Sequence, residues 1–569
     1  MFDIRSLWDV IVLILLVLAV APFFGAYLGR VYMDRPTYGD SFLNPIEGAI
    51  YRLLGTSPRR SMRATEYFLA VLLVNGGVFA FLYLFFVLQN LLPFDATGAP
   101  AMSWHLAFHS AASFTTNTDF THFVNETQLS LGALIIAWPL ALFVSAGTGL
   151  SVVVAMVRGF VRKDGTVGNF YVDLTRTITR VLLPLALLFA VLLVLMGVPE
   201  TLTNYVLARP LTGGSQEIIL GPVASFQSIS LLGTNGGGFY SANAASPLAN
   251  PSAYSNLFGA FVMMLIPFST PFAFAQIIRK RAEAWPYVGT IVIVFVIAVG
   301  LFIAYQAASD PALASVAALG GQTNGFPVGQ ETRFSLPEAS LFQVASVYGN
   351  VGANNMQIGA LSPVAQLVLL FGMFTQSTPG GEGTGFGILL LFTVLGIFVG
   401  GLMVGRTPEY LGNKITTGHV RWAALALLIH PAAILVPFVV AVATGQVSTA
   451  SGSLPASAHT FTSVLYEFTS ESANNGSALS DGNFNDGTIF FNIAGAVVML
   501  VGRYIPIWAM LMIGGKFSEQ EVQPPNVGTL RTASSTFTIY ITLFLVIVSV
   551  LLFLPVIALG PLAQIGGGG

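Results

Sequence analysis

Long apolar stretches alternate with polar segments along the whole chain. Ten of them reach about 20 residues or more, the length at which an α-helix crosses the hydrocarbon core of a membrane. They lie near residues 7–29, 66–90, 129–157, 175–197, 252–278, 286–306, 363–405, 421–444, 487–513 and 535–560. The pattern therefore predicts an all-α integral membrane protein with ten transmembrane helices.

The seventh stretch is too long for one uninterrupted span, and a polar sequence divides it. This sequence reads FTQSTPGGEGTGFG and covers residues 374–387. Because glycine leaves helical geometry easily, we expect a broken helix here. Two placements of its Glu382 are open. It lies either within the membrane, where an acidic side chain is usually functional, or in a hydrated cytoplasmic loop.

Four segments between spans share a short apolar run followed by Gly, Asn, Thr and Ser. They are AFHSAASFTTNTDF (107–120), ASFQSISLLGTNGGGFY (224–240), LFQVASVYGNVGANN (341–355) and FTSVLYEFTSESANNGSAL (461–479). The unit of span, half-length helix, polar loop and span thus occurs four times. Loops at membrane depth must be covered by protein or reached by water, so we expect a pseudo-fourfold pore whose carbonyls replace the water of an alkali cation. Extramembrane turns are the alternative.

This repeat predicts how the chain divides into sections. The sections are an N-terminal helix with a basic cytoplasmic loop (1–63), repeat 1 (64–163), repeat 2 (164–281), repeat 3 with its broken second helix (282–415), repeat 4 (416–516) and a C-terminal helix (517–569).

Basic residues are concentrated in alternate connecting segments. Of the 23 Lys and Arg residues, all but Arg5, Arg209 and Arg333 lie in or near the segments that follow the first, third, fifth, seventh and ninth stretches. Cytoplasmic loops carry such an excess of positive charge. We therefore expect both termini on the outer side of the membrane.

Composition excludes several other classes of protein. Only 8% of residues are charged, against about 25% in soluble proteins. The net charge of −2 argues against a nucleic-acid-binding surface, and the absence of cysteine excludes disulfides and thiolate metal sites. The six histidines are scattered and show no metal-ligand spacing. We expect neither nucleic acid nor a cofactor to bind.

The four repeats, together with GTNGGGF, SANNGSA and GRTPEYLG (405–412), resemble the KdpA family. Its members are the potassium-translocating subunits of the bacterial Kdp potassium-transporting ATPase, and the resemblance covers nearly the whole chain. It implies a channel-like subunit of an ATP-driven pump in the bacterial inner (plasma) membrane, which takes up outer potassium with high affinity. The partners it implies are a KdpB-like P-type ATPase subunit, a KdpC-like subunit, a small single-span KdpF-like subunit and membrane lipids.

The resemblance also implies a potassium filter with one loop from each repeat. Carried over by position, its residues are Thr116, Asn117, Thr118, Thr234, Asn235, Gly236, Ser346, Tyr348, Gly349, Asn474, Asn475 and Gly476. The third loop departs from the family pattern because it reads SVYGN. Tyr348 is there either a filter residue or a packing aromatic, and Gly352 is the alternative position if the loop is shifted.

Below the filter, the resemblance implies a route that leads sideways through the membrane to the ATPase subunit. The broken seventh span would form its gate, through Gly380, Gly381, Glu382 and Gly383. Arg406, in GRTPEYLG, is expected either to repel cations or to anchor the helix at the interface. Arg503 lies inside an apolar run, and we expect it to pair with a partner subunit or a lipid.

The chain contains neither a DKTGT phosphorylation sequence nor a P-loop, so we expect no ATP hydrolysis by this subunit alone. A stand-alone Trk/HKT-type potassium channel or symporter is the alternative function, since those proteins have the same four repeats. The extra helix at 7–29 and the GTNGGG and ANNGSA sequences favour the pump subunit. A sodium-coupled carrier would need inverted repeats, and none is seen.

Overall fold

The computed structural model describes residues 8–92, 98–308, 329–406, 408–450, 457–479, 484–521 and 530–566. Its α-helices are α1 Trp8–Tyr32, α2 Asp40–Leu53, α3 Ala64–Leu88, α4 Trp104–Thr115, α5 Asn125–Gln128, α6 Trp138–Val161, α7 Phe170–Arg176, α8 Leu183–Leu195, α9 Val223–Leu232, α10 Ala253–Ile277, α11 Ala284–Ala308, α12 Leu336–Tyr348, α13 Pro363–Thr375, α14 Thr384–Met403, α15 Thr417–Ala443, α16 Gln446–Ala450, α17 Ala458–Ala473, α18 Ile489–Ser518, α19 Ser535–Leu559 and α20 Pro561–Gly566. Two antiparallel hairpins pair β1 (Tyr205–Ala208) with β2 (Gln216–Ile219) and β3 (Glu409–Tyr410) with β4 (Asn413–Lys414).

Ten helical segments of the described chain are long and apolar enough to cross a membrane. They are Trp8–Tyr32, Ala64–Leu91, Ala133–Val161, Phe170–Leu195, Ala253–Ile277, Arg281–Gln306, Thr384–Met403, Thr417–Ala443, Ile489–Ser518 and Ser535–Leu559. Two contain π-helical turns, at Ala133–Ala137 and Thr177–Leu182. The predicted integral multi-pass membrane protein with ten spans is confirmed.

Helix α6 lies at the centre of the bundle, and helix α1 lies at its edge. In the apolar part of the span that includes α6, 89% of the residues are buried inside the protein, against 28% in α1. Helix α1 packs closely on α10 at Gly25 and Gly29, where a β-carbon would overlap Phe272 and Gln276. Small residues allow such close approach between membrane helices.

Four short helices, α4, α9, α12 and α17, have 10 to 16 residues each, too few to cross a bilayer. They are the half-length helices of the predicted repeats, and we call them pore helices 1 to 4. Pore helices 1, 3 and 4 begin at a serine N-cap, whose hydroxyl accepts a bond from a backbone N–H of the first turn. Most residues of pore helices 1 to 4 are buried, so all four enter the protein interior.

The predicted break in the seventh span is confirmed. Helix α13 ends at Thr375, Gln376 adopts a left-handed conformation with φ 53°, and α14 begins at Thr384. Residues 376–383 are all buried. The division of the chain into six sections, drawn from the sequence, stays a prediction.

An ion pair joins four helices at the side where basic residues are concentrated. Arg158 of α6 forms a bidentate pair with Asp173 of α7, with N–O distances of 2.7 and 2.8 Å. Its Nη2 also donates to the carbonyl of Tyr32 in α1 at 2.7 Å, and the Tyr67 hydroxyl of α3 donates to Asp173 at 2.9 Å. Both charged side chains are buried.

We expect Asp173→Asn to destabilise the bundle by about 3–5 kcal/mol, because it leaves the Arg158 guanidinium buried without a counter-charge. The measurement is the midpoint of thermal unfolding in detergent. The exposed Asp164, in the loop after α6, supplies the control, and Asp164→Asn should cost less than about 1 kcal/mol. Equal losses in the two variants would contradict a structural role for the pair.

Candidate functional site: a ring of four loops

The loops that follow the pore helices meet and form a closed ring. A β-carbon on Gly236 of the second loop would overlap the carbonyl of Val351 in the third. One on Gly352 would overlap the carbonyl of Asn475 in the fourth loop, and one on Gly476 would overlap that of Thr118 in the first. At these three junctions the loops therefore touch without room for a methyl group.

Side-chain hydrogen bonds close the ring between the first and second loops. Asn117 Nδ2 donates to the carbonyl of Thr234 at 2.9 Å, and Asn235 Nδ2 donates to Asn117 Oδ1 at 2.8 Å. All three residues are buried. The four predicted loops thus share one axis rather than lying apart as extramembrane turns.

One backbone hydrogen bond occurs at the same place in every loop and sets their register. Thr118, Asn235, Val351 and Asn475 each donate their N–H to the carbonyl of a serine five positions earlier, at 2.8 to 3.0 Å. These serines are Ser113, Ser230, Ser346 and Ser470. The bond turns the chain back on the end of its pore helix, so the four loops adopt the same shape.

The residues on either side of these four positions have left-handed backbone conformations. The preceding residues have φ of 66°, 47°, 47° and 52°, and they are Asn117, Thr234, Asn350 and Asn474. The following residues have φ of 52°, 75°, 85° and 91°, and they are Asp119, Gly236, Gly352 and Gly476. Glycine tolerates this conformation best, which explains three of the last four positions.

This register shows how the predicted filter residues are placed. Thr234, Asn235 and Gly236 are equivalent to Asn474, Asn475 and Gly476. In the first loop the equivalent residues are Asn117, Thr118 and Asp119, so Thr116 lies one position earlier, as the C-cap of α4.

The third loop lies further along the chain than the predicted positions. Ser346 and Tyr348 belong to the last turn of α12, and Gly349 is its C-cap. The equivalent residues are Asn350, Val351 and Gly352, in agreement with the shifted alternative. Tyr348 packs against Gly372 and donates its hydroxyl to the carbonyl of Val368 at 2.9 Å, as a packing aromatic does.

The sequence contains a signal for this register besides the glycine and asparagine motifs. Each loop is preceded by a serine five positions before its central residue, in SFTTNT, SLLGTN, SVYGNV and SESANN. Aligning the repeats on this serine places Val351 and Gly352 correctly. Aligning them on the glycines alone does not, because Gly349 competes with Gly352.

A cavity of about 500 Å³ lies against the ring. Residues from all four loops line it, among them Asp119, Gly238, Gly352 and Gly476. Glu331 adds a second carboxylate to the lining. Because carboxylates concentrate cations in such a cleft, the cavity suits the approach of a positive ion.

Glu382, in the break between α13 and α14, contacts the ring directly. Its carboxylate accepts a short hydrogen bond from the Thr234 hydroxyl, and its backbone N–H donates to the same hydroxyl oxygen at 2.9 Å. Asn117 Nδ2 donates to Glu382 Oε2 at 3.4 Å. The side chain is fully buried, so the hydrated-loop placement of Glu382 is wrong.

The glycines next to Glu382 allow the break to pack closely against its neighbours. The Gly380 N–H donates to the carbonyl of Tyr348 at 2.8 Å. A β-carbon on Gly381 would lie 3.3 Å from the Thr234 hydroxyl, and one on Gly383 would meet the backbone of α6 at Leu150. Of the four predicted gate residues of the break, Gly380, Gly381 and Glu382 therefore lie against the pore segments, and Gly383 lies against α6.

The two arginines lie in different environments, and only Arg503 departs from its sequence-based expectation. Arg503 of α18 is buried, with Nη2 3.8 Å from Glu382 Oε1 and 2.9 Å from the carbonyl of Ser145, to which it donates. Its expected pairing with a partner subunit or lipid is therefore wrong. Arg406 is exposed beyond the far end of α14, a helix of 20 residues that is about 30 Å long, so it lies far from the ring.

Comparisons with known proteins agree with this architecture. Residues 11–565 match the family model described as KdpA, Potassium-transporting ATPase A subunit. A protein of Nostoc sp. (strain PCC 7120) named Potassium-transporting ATPase potassium-binding subunit is 38% identical over 549 residues, which cover 96% of each chain. Its namesake in Geobacillus kaustophilus is 36% identical over 564 residues and 99% of each chain.

A solved structure shows the same fold. The potassium transporter TrkH from Vibrio parahaemolyticus superposes with a TM-score of 0.52 over 90% of this chain and 98% of that chain. The two sequences are 17% identical, so this likeness concerns the fold alone.

Proposed function

Because the chain belongs to the KdpA family of potassium-transporting ATPase A subunits, we propose that it binds potassium at the ring and passes the ion to an ATPase subunit. The observation that supports this is the closed ring itself, in which four loops of one shape meet at their backbones. Such a ring presents carbonyl oxygens that replace the hydration shell of an alkali cation.

The proposed filter consists of the twelve positions defined by the common register. They are Asn117, Thr118, Asp119, Thr234, Asn235, Gly236, Asn350, Val351, Gly352, Asn474, Asn475 and Gly476. Asn117 and Asn235 hold the loops together by bonds to each other and to the backbone. The backbone positions are thus set before an ion binds, which favours one ion size over another.

We further propose that the ion leaves the ring beside the broken span. A small cavity of about 20 Å³ lies there, lined by Asn350, Gln376, Asn474 and Arg503 among others. It is large enough for about one water molecule. Glu382 balances the charge of Arg503 next to this cavity, so movement of residues 376–383 would change the barrier that a cation meets.

We propose the partner subunits and the membrane location by analogy with the family. The ion acceptor is a KdpB-like P-type ATPase subunit, accompanied by a KdpC-like and a small KdpF-like subunit and by membrane lipids. ATP hydrolysis belongs to the partner. The chain lies in the bacterial inner membrane with both termini outside, in accordance with its skewed basic residues.

The test compares thermal unfolding of the full chain in KCl and NaCl at equal ionic strength. A ligand that binds only the folded state raises the unfolding midpoint, so we expect a saturable rise in KCl that is absent in NaCl. Gly352→Ala should abolish the rise. Gly300→Ala, in α11, should retain it, because a β-carbon there meets none of the described residues within 4 Å.

Identical midpoints in the two salts would contradict potassium binding. Potassium uptake measured in cells distinguishes the pump subunit from the alternative, a stand-alone channel or symporter. Potassium uptake by this chain without an ATPase partner would favour the stand-alone transporter, whereas uptake that needs the partner supports the pump subunit.

A further inference from the structure

Two imidazoles and two carboxylates form a buried cluster beside the ring, between the first and fourth pore segments. His109 lies in pore helix 1 and His122 in the loop that follows it, while Glu467 and Glu471 lie in pore helix 4. None of the four residues is more than 2% exposed. We call them the His–Glu cluster.

The ligand-bearing atoms of the cluster converge. His109 Nε2 lies 3.2 Å from Glu471 Oε1, and His122 Nε2 lies 2.6 Å from Glu467 Oε1. The two imidazole rings are stacked with centroids 4.0 Å apart. One ligand atom each from His109, His122 and Glu471 lies within 4.8 Å of the other two.

These separations suit a metal ion of moderate size. Zinc binds imidazole nitrogen and carboxylate oxygen at about 2.1 Å in tetrahedral geometry, so two of its ligands are about 3.4 Å apart. Side-chain rotation on binding would draw together the three atoms, which lie within 4.8 Å of one another. Glu467, already in contact with His122 Nε2, offers a fourth ligand.

The cluster does not satisfy its own polar atoms. His109 Nδ1 and Glu471 Oε2 are buried and have no hydrogen-bond partner among the described residues. Among the described residues, Glu471 pairs with His109 and Glu467 pairs with His122, and no Lys or Arg pairs with either carboxylate. Buried polar groups without partners cost free energy, and a bound dication would compensate both carboxylates.

An asparagine orients one of the imidazoles for coordination. Asn492 of α18 donates from Nδ2 to the carbonyl of Asn485 at 3.1 Å, which leaves its Oδ1 to accept from His122 Nδ1 at 2.6 Å. With its proton on Nδ1, His122 directs the Nε2 lone pair toward the carboxylates. Metal-binding histidines typically donate their other N–H to such a partner.

The repeats show that packing alone does not require these residues. At the position of His109, nine residues before the central loop residue, the other pore helices carry aromatic side chains, Phe226, Phe342 and Tyr466. At the position of Glu471, four residues before it, they carry Phe114, Leu231 and Val347. Two metal-binding side chains thus replace packing residues at one of four equivalent interfaces. Gly495 makes room for them, since a β-carbon there would overlap the Glu471 carboxylate.

We propose that the His–Glu cluster binds one divalent transition-metal ion of the zinc class. His109, His122 and Glu471 are its ligands, and Glu467 completes the set. His122 lines the cavity above the ring, so the ion enters from that cavity. The bound ion links pore helix 1 and its loop to pore helix 4, and it does not depend on the proposed potassium function.

The experiment uses the full chain purified with its ATPase partner, treated with a chelator and then titrated with zinc chloride at constant KCl. We expect one zinc ion per chain by elemental analysis, a rise in the unfolding midpoint on adding zinc, and visible absorption of tetrahedral cobalt when Co²⁺ replaces it. His109→Phe and Glu471→Leu copy the residues of other repeats and keep the volume filled. Each should weaken zinc binding at least about 100-fold.

Two further variants keep the result unambiguous. Glu471→Gln preserves the shape of the side chain and should also lose zinc, in case Glu471→Leu fails to fold. His419→Asn changes a buried histidine outside the cluster and should bind zinc as the unchanged chain does. The proposal is overturned if the unchanged chain takes up no zinc, or if the cluster variants bind it as tightly as the unchanged chain.

Discussion

Gly236→Ala is expected to raise the potassium concentration for half-maximal uptake by about 5- to 150-fold. A β-carbon at this position overlaps the carbonyl of Val351, and φ is 75°, a conformation that alanine rarely adopts. Such backbone strain costs about 1–3 kcal/mol, which corresponds to this range when it is expressed as lost ion affinity. The measurement is uptake by cells that lack other potassium transporters and express the whole complex.

Gly77→Ala is the matched control for this variant. Gly77 lies in a membrane span, α3, and a β-carbon there meets no atom of the described residues within 4 Å. The control should leave the uptake curve unchanged. If Gly236→Ala also leaves it unchanged, the second loop does not contribute to the filter as proposed.

Glu382→Gln is expected to destabilise the protein by about 3–5 kcal/mol and to reduce potassium transport strongly. The change leaves the Arg503 guanidinium buried without a counter-charge, and removing one partner of a buried pair has this cost. It also leaves uncompensated positive charge beside the small cavity that the ion is proposed to enter. Thermal unfolding in detergent and uptake in cells measure the two effects separately.

The double variant Glu382→Gln/Arg503→Met tests whether the two side chains act as a pair. Removing both charges leaves no unpaired ion, so stability should recover most of the loss caused by Glu382→Gln. The two single losses would simply add if the residues were independent, and that result would contradict the pairing. Asp34→Asn is the control. Asp34 pairs with Arg176 but is exposed, so its loss should change the stability little.

The sequence by itself determined the membrane spans, the fourfold repeat and the break in the seventh span. Each of these depends on residues close together in the chain. A run of about 20 apolar residues suffices to identify a span because the membrane has a nearly constant thickness. The glycines of residues 380–383 likewise predict the break, because glycine is unfavourable inside a helix and helix propensity is a local property.

Only the tertiary structure decided the register of the third loop. Gly349 and Gly352 are both suitable for a turn, and the local sequence does not choose between them. The choice depends on the neighbouring loop, because the residue opposite Asn475 must lack a side chain. That requirement is set by a contact between segments more than 100 residues apart in the sequence.

The sequence likewise did not predict which buried charged and polar side chains pair with one another. Glu382 and Arg503 are separated by two membrane spans, a short helix and a pore segment, and His109 and Glu471 come from the first and fourth repeats. Spacing rules for metal and ion-pair sites describe neighbours on one helix or loop, so the histidines looked scattered. Folding four similar units around one axis brings their interfaces together, and long-range packing alone places those side chains within reach of one another.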